Sequence, residues 1–187
     1  MKIEVAKTAG FCPGVRRAVD LAYESLEKDP DKTLWLYGAV VHNERVISDL
    51  RARGAKIADT IDEIPDKATV LIRAHGVSLE VEEALRRKNC VILDGTCPFV
   101  SLIHRRVSEA ANKGDGIIIT GDPRHPEVIG IVGHAFPQEP MLIQTAEEAE
   151  MLELDDKNWI LVSQTTFSHA RWTQIRDILE NKIDKLL

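Results

Sequence analysis

The sequence alternates between short apolar runs, many rich in β-branched residues, and longer segments in which apolar residues recur every three or four positions. The first pattern predicts buried strands, and the second predicts amphipathic helices. In chain order, the predicted strands cover residues 3–6, 33–37, 68–74, 90–94, 116–120, 141–143 and 158–162. Nearly continuous apolar strands that alternate with helices indicate an α/β fold with small parallel sheets covered on both faces.

A cysteine followed by a proline opens a predicted helix at two places, Cys12 and Cys97. This repetition predicts two similar βα modules, the first at residues 14–97 and the second at residues 98–187. An N-terminal strand within residues 1–13 precedes them. No linker or low-complexity segment separates the modules, so we expect them to pack closely.

Composition narrows the class of protein. The 187 residues are 44% hydrophobic and carry a net charge of −6, which argues against nucleic acid or an anionic membrane surface as partner. Three cysteines are too few for a disulfide framework and favour a reducing compartment. No apolar run approaches the length of a membrane span. We therefore expect a soluble, cytoplasmic protein.

Reactive side chains follow six of the predicted strands, each directly after the point where its strand ends. They are Cys12, His42, His75, Cys97, His125 with Glu127, and Thr165 with Thr166. A single histidine at such a position usually serves its own loop, but the repetition is hard to attribute to loops alone. Ligands of parallel α/β folds bind at this edge of the sheet, so the sequence predicts one site. His104, His134 and His169 lie in or beside helical segments and are interpreted as surface or packing residues, and Cys90 as a core residue.

The residue types leave several chemical interpretations open. A thiol at a helix N-terminus, as at Cys12, is either a half-buried structural cysteine or a thiolate that binds a metal or attacks an electrophile. Histidines among helix N-termini suit a phosphate or diphosphate. Glu127 either stabilises a helix dipole or donates a proton, and the two threonines, Thr165 and Thr166, either bind a hydroxyl or cap the last helix.

Two other enzyme classes do not fit the residues. A phosphatase would need an arginine six residues after Cys12, where Ala18 stands. A zinc hydrolase would need histidines at helical spacing, and none have it.

Six motifs, taken together and in this order, resemble one known family. They are Ala9-Gly10-Phe11-Cys12-Pro13-Gly14-Val15, Val41-His42-Asn43, Arg73-Ala74-His75-Gly76-Val77, Gly95-Thr96-Cys97-Pro98, His125-Pro126-Glu127-Val128 and Ser163-Gln164-Thr165-Thr166. The family is that of the 4-hydroxy-3-methylbut-2-enyl diphosphate reductases, which complete the methylerythritol phosphate route to isoprenoids. Each motif is weak by itself, but the ordered set is specific.

The resemblance implies a 4Fe-4S cluster held by three cysteines, with Cys12 and Cys97 as two of its ligands. It implies that His42, His75 and His125 hold the substrate diphosphate. Glu127 would relay a proton to the departing hydroxyl, and Thr165 and Thr166 would bind near that hydroxyl. The products would be isopentenyl and dimethylallyl diphosphates, and a ferredoxin or flavodoxin would supply the electrons.

One departure from the family pattern concerns the third cysteine ligand and a Ser-x-Asn motif, which in the family follow the paired threonines. Neither occurs by Leu187. The family fold has three α/β modules around a central cluster, and the strand within residues 1–13 would belong to the third. We therefore expect a fragment or a shortened homologue of the reductase. The alternative to an active reductase is a catalytically incomplete chain that folds but does not hold a stable cluster. The edge left by a missing module would be apolar and would favour self-association.

Overall fold

The computed structural model describes residues 3, 4, 6, 9–183 and 186. Among these residues the chain divides into two compact units, Met1–Ala74 with Leu85–Cys97 and His75–Ala84 with Pro98–Leu187. The boundaries predicted after residues 13 and 97 are not tested by this division and stay a prediction. The segment His75–Ala84 groups with the second unit.

The first unit is built on a parallel sheet. Its elements, with helix α3 shared between the units, are α1 (Pro13–Lys28), β1 (Leu34–Tyr37), α2 (Glu44–Ala52), β2 (Lys56–Ala58), a 3-10 helix (Ile61–Glu63), β3 (Thr69–Ile72), α3 (Leu79–Arg87) and β4 (Val91–Asp94). In the described part of the chain the strand order is β2-β1-β3-β4. Apolar side chains of α1, such as Ala18 and Ala22, are fully buried against Leu36 and Leu71 of the sheet. A fully buried leucine contributes about 1.5–3 kcal/mol, so this seam stabilises the packing of α1 on the sheet.

The second unit repeats the pattern with a smaller sheet. Its elements are α4 (Pro98–Lys113), β5 (Gly116–Thr120), α5 (Pro126–Gly133), β6 (Met141–Ile143), α6 (Ala146–Met151), β7 (Trp159–Ser163) and α7 (His169–Glu180). The strand order among the described residues is β6-β5-β7, all parallel, and Leu186 forms an isolated parallel bridge with Trp159. Every residue of β5 is buried. The predicted α/β fold with two similar modules and small parallel sheets is confirmed.

Two sequence expectations, on the N-terminal strand and on Cys90, have other outcomes. The strand within residues 1–13 falls partly on residues 1, 2, 5, 7 and 8, which lie outside the described residues. The described Ile3, Glu4 and Ala6 belong to no helix or strand. Cys90, expected in the core, is only half-buried, because β4 is an edge strand whose first residue, Val91, is 57% exposed. A capping box forms at Thr145, with Glu148 N–H donating to Thr145 Oγ1 at 3.2 Å.

None of the helices in the described ranges is long and apolar enough to span a membrane.

Candidate functional site

Cys12 lies at the N-terminus of α1. It is the exposed N-cap residue, with φ −61° and ψ 161°, and its carbonyl accepts the N–H of Arg16 at 2.9 Å. Pro13 starts the helix because its fixed φ suits the first helical position. No acidic side chain occupies the first turn, so the positive end of the helix dipole is not neutralised there. An anionic ligand atom at Cys12 would therefore lie in a favourable field.

Cys97 lies against that same first turn of α1. A Cβ placed on Gly14 would be 2.6 Å from Cys97 Sγ and 2.9 Å from Cys97 Cβ, so only glycine leaves room for the thiol. Backbone contacts fix the position of the thiol, since Cys97 N–H donates to Ala74 O at 2.9 Å. The guanidinium of Arg17 donates to Thr96 O at 3.1 Å. The two cysteines, far apart in sequence, thus flank one helix turn.

His42 lies in the loop between β1 and α2 of the same unit, and it is exposed. The next residue, Asn43, caps α2, because its Oδ1 accepts the N–H groups of Arg45 and Val46 at 3.1 and 3.2 Å. Since β1 and β4 are parallel members of one sheet, the loops after them leave from the same edge. His42 and Cys97 therefore follow strands that end at one edge.

Glu127 is the most buried of the predicted site residues, with 1% of its surface exposed. Both carboxylate oxygens accept a hydrogen bond from Thr165. The Thr165 N–H lies 2.6 Å from Oε1, and the Thr165 hydroxyl lies 2.9 Å from Oε2. A first-turn glutamate that served only the helix dipole would face solvent, so this burial requires the contact with the loop after β7. The structure thus brings Glu127 and Thr165 together.

His125 is the N-cap of α5. Its Nδ1 accepts the N–H of Glu127 at 3.1 Å, so Nδ1 carries no proton and the neutral ring has its proton on Nε2. The ring of His75 meets it edge-on, with the centroids 5.2 Å apart and the planes 75° apart. Both imidazoles are half-buried in the second unit. They form an adjacent pair, and His125 offers a hydrogen-bond donor.

Thr166 does not contact Glu127 as Thr165 does. Its Oγ1 accepts a hydrogen bond from Gln164 Nε2 at 2.8 Å, and the side-chain oxygen of Gln164 accepts the N–H of Asp122 at 3.1 Å. Gln164 is 8% exposed and ties the loop after β5 to the loop after β7. Gln164 belongs to the Ser-Gln-Thr-Thr motif, but no local sequence signal indicates this structural role.

His104 and His134, expected at the surface or in packing, are packing residues. Each is 7% exposed, and their rings stack with centroids 4.0 Å apart. Burial lowers the pKa of His134, and this effect outweighs the Glu82 carboxylate and the bond to Val77, which raise it. Sequence reasoning did not connect either ring with the candidate site.

A cavity of about 740 Å³ opens elsewhere in the second unit, among α4, β7 and α7. Leu102, Ile160 and Trp172 line much of it, and none of the predicted site residues does. It is therefore not the space in which the predicted chemistry would occur.

Comparisons with known proteins return one family. The model of the family described as LytB protein matches residues 3–187. The 4-hydroxy-3-methylbut-2-enyl diphosphate reductase of Clostridioides difficile is 39% identical over an alignment of 188 positions, which covers all of this chain and 67% of that protein. The enzyme of the same name from Caldanaerobacter subterraneus subsp. tengcongensis is 38% identical and is covered over 65% of its length.

Solved structures give the same result. The E-1-hydroxy-2-methyl-but-2-enyl-4-diphosphate reductase of Plasmodium falciparum superposes with a TM-score of 0.85 at 30% identity, over 97% of this chain and 57% of that one. A second structure, described as the terminal enzyme of the non-mevalonate pathway, gives 0.83 at 33% identity and is covered over 65% of its length. The chain thus spans about two-thirds of the length of these two curated relatives.

Proposed function

Because the chain belongs to the LytB protein family, we propose that it serves the reductive dehydroxylation of 4-hydroxy-3-methylbut-2-enyl diphosphate. In this reaction two electrons and two protons replace the C–O bond of the allylic alcohol by C–H and release water. The products are isopentenyl and dimethylallyl diphosphates. The observation that carries the proposal is the buried Glu127 carboxylate, held by two donors of Thr165 beside the imidazole pair of His75 and His125.

The diphosphate would be held by His42, His75 and His125. An Nε2–H donor on His125 supports this role, since Nδ1 already accepts a backbone N–H. In the second unit the rings of His75 and His125 lie in edge-on contact, which supports joint binding of neighbouring phosphate oxygens. Imidazole donors bind such an anion without requiring a basic surface, which agrees with the net charge of −6.

The proton would pass from Glu127 through Thr165. Glu127 is 1% exposed, whereas Thr165 is exposed, so a substrate hydroxyl meets the threonine first. When Oε2 is ionised it accepts the Thr165 hydroxyl at 2.9 Å. When Oε2 is protonated the bond reverses, and the Thr165 hydroxyl can donate to the leaving oxygen. The pair therefore forms a short relay that keeps the carboxyl out of water.

Cys12 and Cys97 would ligate the iron–sulfur cluster. Thiolates are the ligands such clusters require, and the glycine at position 14 keeps the Cys97 thiol beside the helix turn that Cys12 begins. Among the described residues no group of three or more His, Cys, Asp or Glu side chains could hold a metal ion. The two cysteines fit as two ligands, and a further ligand has to come from elsewhere. When bound, the cluster supplies the electrons to the allylic alcohol.

Exchange of Glu127 for glutamine tests the proton relay. The amide retains the shape of the side chain but cannot donate an acid proton, so we expect Glu127→Gln to lower turnover by about 10²-fold or more. Iron and sulfide content after anaerobic reconstitution should stay unchanged. Glu148→Gln, a carboxylate change in the capping box of α6, is the matched control and should keep its turnover. Full activity in the Glu127 variant would remove this residue from the mechanism.

A second candidate is a folded chain that holds no stable cluster. The two-cysteine ligand set favours it. Anaerobic iron and sulfide analysis of the reconstituted chain, with its visible absorption spectrum, separates the two candidates. Stoichiometric iron with turnover supports the reductase, and absence of both supports the incomplete chain. If a separate polypeptide supplies the missing ligand, the cluster content should rise only after mixing.

A further inference from the structure

We propose that His134 is a positioning residue of the diphosphate site, because it holds the backbone of Val77 and thereby fixes His75 beside His125. This inference rests on the proposed function, since it assumes that the two imidazoles bind the diphosphate. All of the residues involved belong to the second unit.

One helix supports both imidazoles of the pair. His125 is the N-cap of α5, and His134 is the C-cap at the opposite end of the same helix. His134 Nε2 lies 3.2 Å from the carbonyl oxygen of Val77, two residues after His75. Because a carbonyl can only accept, Nε2 must carry a proton in this contact. Helix α5 therefore presents His125 directly and holds His75 through the loop.

The loop from His75 to Ser78 lies directly on α5, where glycines allow close approach. A Cβ on Gly133 would be 2.1 Å from Ser78 Cβ, and a Cβ on Gly130 would be 3.6 Å from His75 O. Close packing of this kind sets the spacing between the loop and the helix, whereas a directional contact is needed to fix the position of the loop along the helix. The hydrogen bond from His134 to Val77 fixes the position along it. Both partners are buried, at 7% and 6% exposure, so water does not compete for this bond.

The ring of His134 is itself held on two sides. His104 of α4 stacks on it at 4.0 Å with 24° between the planes. The Ser108 hydroxyl, also from α4, lies 3.3 Å from Nδ1 and 3.2 Å from the His134 carbonyl oxygen. The neutral form with its proton on Nε2 leaves Nδ1 as an acceptor for Ser108. This arrangement is the kind of support that keeps a binding side chain in its productive position.

Two substitutions separate the donor from the bulk of the ring. His134→Phe keeps an aromatic ring to stack on His104 but removes the donor to Val77. His134→Gln returns an N–H donor at about the reach of Nε2. Ile175→Val, a buried change in α7 of the same unit, is the control for general loosening. The readouts are the affinity for inorganic pyrophosphate and the imidazole resonances of His75 and His125 in NMR spectra of the full chain.

For His134→Phe we expect about tenfold weaker pyrophosphate binding, equivalent to about 1.4 kcal/mol. We also expect a shifted His75 resonance before ligand is added. His134→Gln should bind within about threefold of the parent chain, and Ile175→Val should bind like the parent despite its lower melting temperature. Parent-like pyrophosphate affinity in His134→Phe would overturn the inference. If the parent chain gives no pyrophosphate-dependent shift at His75 or His125, the diphosphate assignment itself fails.

A measurement on the unsubstituted chain covers the case in which His134→Phe does not fold. Nitrogen-15 NMR reports the protonated nitrogen of each imidazole, and coupling across a hydrogen bond identifies its acceptor. The expected result is a neutral His134 protonated on Nε2 and coupled to the Val77 carbonyl. A proton on Nδ1 alone would refute the contact on which the inference depends.

Discussion

The close approach of Gly14 to Cys97 makes Gly14→Ala a sensitive test of the first unit. Two effects oppose each other. Alanine favours a helix by up to about 1 kcal/mol over glycine. The added methyl, however, would lie 2.6 Å from Cys97 Sγ, and overpacking of this kind costs about 1–3 kcal/mol. The overlap involves two side-chain atoms and the backbone that carries them. The cost of overpacking should therefore exceed the gain in helix propensity. We expect a net loss of about 1–2 kcal/mol.

A double-mutant cycle isolates the contact. In a Cys97→Gly background the nearest atom to the new methyl is the Cα at position 97, 3.6 Å away, which is an ordinary contact. There, Gly14→Ala should be neutral or stabilising. The matched control is a Cys90→Gly background, which removes a cysteine elsewhere in the same unit and should leave the cost unchanged. Urea unfolding of the reduced, metal-free chain, followed by circular dichroism, gives each free energy of unfolding.

The result that refutes this reasoning is additivity. If Gly14→Ala costs the same within about 0.5 kcal/mol in the parent, Cys97→Gly and Cys90→Gly backgrounds, the methyl does not meet the thiol. The basis for placing Cys97 against the first turn of α1 would then be lost. The proposal that Cys12 and Cys97 share one cluster would lose its structural support with it.

Two further substitutions test contacts in the second unit. Thr165→Val removes the hydroxyl that donates to the buried Glu127 carboxylate and should cost about 1.5–3 kcal/mol in urea unfolding, whereas Thr165→Ser should cost much less. Equal losses in the two variants would contradict the role of the hydroxyl. Lys182 Nζ donates to backbone carbonyls at the end of α6, including that of Leu152 at 2.9 Å. Lys182→Met should therefore cost about 1 kcal/mol. Arg105→Met, which breaks an exposed pair with Glu109, should change stability by less than about 0.5 kcal/mol, and equal losses would show that the carbonyl contacts contribute nothing.

Local signals in the sequence account for most of the elements. The apolar run of β5 and the capping box at Thr145 are each defined by residues within a few positions of one another, and both are present. Strand β2 was not predicted, because Lys56–Ala58 is a three-residue strand with a charged residue at its start. The exposure of Val91 depends on which strand has no neighbour, and this is a property of the whole sheet.

In the candidate site, too, local sequence patterns predict where residues lie along the chain but not which distant residues contact each other. Strand ends indicate that His125, Glu127 and Thr165 lie at one edge of a sheet, because β5 and β7 are parallel neighbours. They did not indicate that Glu127 would be buried under Thr165, which lies 38 positions away. They also gave no sign of the contact between His134 and Val77. Such pairs are specified by packing of helices on a sheet, and a single sequence does not display that packing.

The path of the chain between the two units has a consequence for how the protein is made. The chain enters the second unit at His75, returns to the first at Leu85 and leaves it again at Pro98. On the ribosome the Val77 carbonyl emerges 57 residues before the imidazole that binds it. The first unit can therefore complete its sheet while the segment His75–Ala84 still waits for α5. Cutting the gene after codon 97 would separate that segment permanently from α5, so expression of the halves separately would not reproduce the second unit.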